Sequence, residues 1–218
     1  MKFECFGLNR GTVRAVLVAA TLLLPASGWS AVILGNLPQT NDNNQTALPS
    51  TAFIKAFSFT MPLGDPFTLD SVVLRLTGFT TPPDMPEVQI RNHTGGVNPG
   101  STVLASFTNP ASQGSGTFNY TFTPTAPFLF QSSTSYWLWV AVSAGGFDFE
   151  SSSPAITPTG IATYNTFRFS NDSGANFSTG AGTNINSFSI NGSPVPEPSA
   201  IVLSGLGLAA LAFAKRKK

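Results

Sequence analysis

The chain has 218 residues, 10% charged and 42% hydrophobic, with one cysteine, one histidine and a formal net charge of +1. The charge is unevenly placed: between residues 31 and 198 four cations, Lys55, Arg75, Arg91 and Arg168, stand against nine carboxylates, a net of −5. The only cysteine is Cys5, so that acidic segment excludes disulfide staples, cysteine metal sites and cysteine nucleophiles, and it offers nucleic acid no basic footprint.

At the start of the chain Lys2, Arg10 and Arg14 precede an apolar stretch over residues 15–24, broken only by Thr21, and then a small-residue exit over 25–30. This order predicts a secretory signal peptide over residues 1–30, cut before Ala31, with Gly28 and Ser30 at the minus-three and minus-one places. Signal peptidase and the Sec export machinery are the partners it implies. Cys5 leaves with the leader.

Residues 31–190 repeat with a period of two. Phe57 and Phe59 alternate with Ser58 and Thr60, and Val72, Leu74 and Leu76 with Val73 and Arg75. Val88 with Ile90, Phe118 with Tyr120 and Phe122, and Tyr136 with Leu138, Val140 and Val142 follow the same rule, as do Phe147 with Phe149, Phe167 with Phe169, and Phe188 with Ile190. Such alternation predicts about eight or nine short strands, each with one face toward a core. Turn residues separate them at Pro82-Pro83, Gly95-Gly96, Asn98-Pro99-Gly100 and Gly145-Gly146. Residues 36–52, 152–162 and 171–183 are expected as long surface loops, and no stretch has the pattern of a long amphipathic helix. The expected fold is all-β: one antiparallel β-sandwich over residues 31–190, jelly-roll-like, exposed outside the cell.

Within that body few residues point to chemistry. His93 sits in the turn-like Asn92-His93-Thr94-Gly95-Gly96, and nothing fixes the serine and carboxylate that a hydrolase would need beside it. Asp148 and Glu150 share one strand face, but catalytic carboxylates flank a bond across a cleft; an exposed polar face opposite Phe147 and Phe149 is expected instead. Asp42, Asn43 and Asn44, or Asn171 and Asp172, could offer calcium oxygen ligands from loops, although neither set has the spacing of a defined calcium loop. No other cofactor is expected. Trp137 and Trp139 share the face opposite Tyr136, Leu138 and Val140. They belong either to a core covered on both sides or to an exposed aromatic platform for sugar rings.

The chain closes on a proline-rich linker over residues 191–199, containing Val195, Pro196, Glu197 and Pro198, then an apolar run over 200–214 and the basic cluster Lys215, Arg216, Lys217 and Lys218. As a helix at about 1.5 Å per residue the run would span roughly 22 Å, short of a bilayer core of about 30 Å. A transient membrane anchor fits it, with the basic end on the cytoplasmic side. Pro-Glu-Pro, short apolar helix and basic cluster, in that order at the extreme terminus, resemble the PEP-CTERM sorting signal of Gram-negative bacteria. The resemblance implies processing by an exosortase, a passage through the inner membrane, and delivery to the cell surface or an extracellular polysaccharide matrix. A further resemblance lies in the body, where Phe57-Ser58-Phe59-Thr60, the strand over residues 69–76, the Pro99-Gly100 turn and Thr134-Ser135-Tyr136-Trp137-Leu138 follow as in a choice-of-anchor R type domain. No activity comes with it. The expected role is therefore structural or adhesive rather than enzymatic. The alternative is a carbohydrate-binding module acting on exopolysaccharide.

Overall fold

The computed structural model describes residues 29–80, 82–179 and 185–195, and within them apolar alternation becomes thirteen strands. They are β1 (Ala31–Gly35), β2 (Asn44–Leu48), β3 (Ile54–Thr60), β4 (Phe67–Thr77), β5 (Met85–Asn92), β6 (Val103–Thr108), β7 (Thr117–Pro124), β8 (Leu129–Phe130), β9 (Ser135–Ala144), β10 (Phe147–Ser151), β11 (Thr163–Ser170), β12 (Ser178–Thr179) and β13 (Phe188–Pro194). Of the signal peptide expected over residues 1–30, residues 1–28 lie outside the described residues, as do the Pro196-Glu197-Pro198 motif, the apolar run and the basic tail. Among the described residues no helix is long and apolar enough to cross a membrane.

Every strand pairing is antiparallel, as the sequence pattern predicts. One sheet runs β1, β13, β4, β7; β10 takes over beside the last residues of β4, and β2 lies beyond β10. The other runs β12, β11, β3, β9, β5, β6. A short pairing of β6 with β7, Phe107 opposite Pro124 and Thr108 opposite Thr123, joins the sheets along one edge. Their inner faces enclose a single large cluster in which Phe57, Phe59, Leu74, Leu76, Phe149 and Phe188 are fully buried.

Local sequence sets the details. In β4 the inward residues are Leu69, Val72, Leu74 and Leu76, and the break in period between Leu69 and Val72 coincides with a register shift against Asn191 and Gly192 of β13. An inserted residue there lets both flanking apolar side chains face the core. Gly192 is required at this crossing, since a Cβ would lie 2.5 Å from both Ile33 Cδ1 and the Thr68 carbonyl oxygen.

Three expectations are corrected. Residues 36–52 are not one loop, because β2 pairs with β10 across Asn44–Leu48; only Leu48 of this edge strand is buried, so its sequence, Asn-Gln-Thr-Ala-Leu, shows no apolar alternation. The linker expected from residue 191 begins later, for β13 continues through Pro194, which pairs with Phe67. Proline is tolerated at a strand's last place, where its missing N–H breaks no further ladder. Finally, Glu150 is buried at 2% exposure rather than part of an open polar face.

Gly192→Ala should lower stability by about 1–3 kcal/mol, because one of the two contacts it meets is backbone that cannot rotate away. Gly96→Ala, where a Cβ meets only Thr94 Oγ1 at 3.9 Å, should stay within about 0.5 kcal/mol. Urea unfolding of the two variants checks the contrast.

Candidate functional site

The two tryptophans form the first candidate. β9 pairs with β3 on one side and β5 on the other, so Trp137 lies between Ser58 and Arg91, and Trp139 between Ala56 and Gln89. Their outer face carries a small second core of Ile54, Ala56, Trp137, Trp139 and Ala141, with Phe177 packed against it. The Arg91 guanidinium lies over Trp139, 3.4 Å from the ring centroid, and the His93 imidazole stacks on Trp137 at 5.8 Å with an 11° interplanar angle. Phe177 meets Trp139 edge-on at 5.8 Å. Trp137 is 0% exposed and Trp139 6%. The open aromatic platform is thus not present: the indoles are a covered satellite core, and both Nε1 atoms lack a protein acceptor among the described residues.

The cover is itself braced. In β5, Gln89 Nε2 donates to Glu87 Oε1 at 2.6 Å and Arg91 Nε donates to Gln89 Oε1 at 2.7 Å, which fixes the guanidinium over its ring. Across the loop after β11, the Asp172 carboxylate accepts from the Ser170 hydroxyl, the Asn176 amide N–H and the Asn176 side chain at 2.7, 2.9 and 2.7 Å. These bonds, the Ser170 hydroxyl first, hold the Asp172 carboxyl down to about 2. Gly174 takes a left-handed φ of +88° over the indole, where a Cβ would come 3.4 Å from Trp139 Cη2. His93 Nδ1 accepts from the Gly95 N–H at 3.0 Å, so the imidazole serves its turn and the Trp137 stack.

A second candidate escaped the sequence reading. Where the sheets diverge between β2 and β11, a cleft of about 420 Å³ opens, lined among others by Gln45, Phe53, Lys55, Phe167, Phe169 and Asn171. Lys55 has the phase of Phe57 and Phe59, so its side chain points between the sheets, and it is 8% exposed. Its Nζ lies 5.3 Å from the Phe169 ring centroid and 5.6 Å from that of Phe167. Burial pushes the ammonium down to about 8. The signal was available in the sequence as a lysine on the inward phase of an otherwise aromatic strand.

The loop carboxylates are bound up with protein donors. Arg75 Nε and Nη2 donate to the two Asp42 oxygens at 2.6 and 2.5 Å, and that guanidinium lowers the Asp42 carboxyl. Asp148 accepts from Gln45 Nε2 at 3.0 Å. Glu150 is pushed up by burial, opposed by a Thr77 hydroxyl, and its Oε2 has no protein partner among the described residues. No group of three or more His, Cys, Asp or Glu converges among the described residues. Asp42 and Asp172, the carboxylates considered for calcium, are each used to brace the loop that carries them.

Comparison with known protein families matches residues 194–217 to the PEP-CTERM protein-sorting motif. The match begins at Pro194, the last residue of β13, and includes Val195, Pro196, Glu197 and Pro198 as well as Lys215, Arg216 and Lys217. The motif implies sorting by an exosortase through the membrane to the cell surface. No family match supports the likeness of the body to a choice-of-anchor domain, and no curated protein matches the chain.

Trp137→Ala, which opens a cavity under His93, should cost about 3–5 kcal/mol of stability; a thermal midpoint unchanged from the parent would contradict the satellite-core assignment. Lys55 yields a pH signature. Its folded value of about 8 lies below the unfolded 10.5, so above pH 8 the unfolded chain holds the extra proton and stability rises with pH. The difference between the parent and Lys55→Met should therefore shrink from pH 8 to 10, by up to about 1.4 kcal/mol per pH unit. Above pH 10 Tyr164, raised to about 12 by burial, opposes the trend in both proteins. Chemical denaturation at stepped pH measures the difference.

Proposed function

We propose that this chain is an exported structural or adhesive protein of the cell surface and the extracellular polysaccharide matrix, without catalytic activity. A signal peptide starts it through the Sec machinery, the apolar run over residues 200–214 holds it in the inner membrane, and an exosortase acts near Val195-Pro196-Glu197-Pro198. The observation that carries the reading is the sorting motif at residues 194–217, joined to the last strand of a β-sandwich. The Val195 N–H donates to the Pro66 carbonyl at 3.0 Å, so the chain is tied to the sheet up to the threshold of the motif. The Lys215, Arg216, Lys217 and Lys218 cluster supplies the cytoplasmic stop.

A second reading, a carbohydrate-binding module acting on exopolysaccharide, is favoured by one feature: the aromatic-walled cleft beside Lys55. Ligand sites are concave, mostly apolar and carry a few placed polar groups, and this cleft has all three properties. It takes the place of the Trp137 and Trp139 platform as the candidate sugar surface.

Intact mass of protein recovered from the surface and medium of producing cells, with and without the partner exosortase, tests the leading reading. The expected product begins at Ala31 and ends close to Pro198 only when the enzyme is present. A chain ending at Lys218 in both strains would make the tail a plain membrane anchor.

A further inference from the structure

Lys55 is the only lysine between residues 3 and 214. It does not lie on the surface, where a lysine would help solubility, but on the inward face of β3, opposite Phe169 of β11 in cross-strand register. Buried charges in proteins are ordinarily paired. Among the described residues the one ion pair is Asp42 with Arg75, and the contacts of the Lys55 ammonium are the faces of Phe167 and Phe169. An uncompensated cation held at the bottom of a cleft is a feature that burial alone disfavours and that an arriving anion would relieve.

We propose that the cleft between β2 and β11 binds an acidic sugar unit, a hexuronate, with its carboxylate on Lys55 and its ring against Phe53 and Phe169. The proposal rests on the carbohydrate-binding reading and specifies its ligand. Phe53 and Phe169 are only partly buried, so they offer ring faces to a ligand. Gln45 and Asn171 at the rim supply neutral amides suited to hydroxyl groups. The volume, about 420 Å³, lies in the range of small-ligand sites rather than that of an extended protein interface. The segment around the cleft carries a net charge of −5 between residues 31 and 198, which repels a long polyanion at a distance. Recognition is thus local, within a Debye length of about 8 Å in physiological salt, and directed at single acidic units rather than at bulk charge.

The test uses protein recovered from the surface of producing cells, titrated calorimetrically with tetragalacturonate, with the neutral galactose tetramer, with acetate and with a tetraglutamate peptide. The expected result is binding of tetragalacturonate at least tenfold tighter than of the other three. Lys55→Met should lose that preference tenfold or more while unfolding at an equal or higher temperature, since a buried charge has been removed. Amine labelling at Lys55, followed by peptide mapping in the parent protein, adds a readout independent of any variant: tetragalacturonate should slow it at least threefold and the neutral tetramer should not. Equal binding of both tetramers would overturn the role of the cation and leave a carbohydrate module standing. Binding of neither would overturn the carbohydrate reading as well. Acetate or tetraglutamate binding as tightly as the uronate would overturn the sugar assignment, as would uronate binding that survives in Lys55→Met or leaves Lys55 labelling unchanged.

Discussion

The packing of Phe57 is the interaction on which the sandwich depends. Its ring lies 4.7 Å from that of Phe188, 6.1 Å from Phe149 in an edge-on contact, and 6.1 Å from Phe167. Phe167 is its cross-strand neighbour in one sheet, whereas Phe149 and Phe188 belong to β10 and β13 of the other. One side chain therefore joins four strands. Without cysteine after Cys5, the domain has no covalent clasp, and burial of aromatic surface across the sheet interface is what holds the faces together. A second set, Phe59 with Phe130 and Tyr136, extends the same contact toward the other end of the sandwich.

The central position of β3 and β9 explains why two quite different sites arise on one sheet. Both strands are buried on both faces, so neither face can be left to solvent without exposing apolar groups. On the outer face this produces the Trp137 and Trp139 cluster, roofed by Arg91, His93 and Phe177. On the inner face the aromatic row Phe57 and Phe59 ends at Lys55, where the two sheets separate. There the core stops being dry: the lysine stem continues the packing while its ammonium reaches the cleft. The cleft is thus the place where the aromatic core opens, and its walls are the last rings of that core.

Much of this was legible in the sequence wherever one face of a strand is apolar and the other polar. β4, β7 and β11 follow the period of two closely enough to show their inward residues. β2 is hidden because an edge strand with one buried residue needs no apolar face, and β13 reads as shorter than it is because proline argues against a strand unless it stands at the end. The burial of Glu150 was illegible for another reason. Its surroundings include the polar stretch before β2: Asp42, clamped on Arg75, acts on its charge, and the neighbouring Asn41 donates to the Ser153 carbonyl at 3.1 Å. Contacts between residues more than 100 apart leave no trace in local periodicity. The same holds for the sugar platform: the period of two puts Trp137 and Trp139 on one face, but whether that face is open depends on Gly174, Phe177 and His93, which arrive from elsewhere in the chain.

The position of the sorting motif follows from the topology. β1 has β13 as its strand partner, and β13 also lies against β4. Residues 31–35 and 189–192 must therefore meet before the edge of that sheet exists, a closure spanning nearly the whole domain and slow on contact-order grounds. The last strand is at once the final piece of the sheet and the segment that hands over to the sorting motif. Its ladder ends at Pro194, paired with Phe67, and one more backbone bond, from Val195 to Pro66, completes it. The pairing of β13 is thus complete by Val195, the second residue of the matched motif, so the described sheet is closed by residues that stand at the very start of that motif.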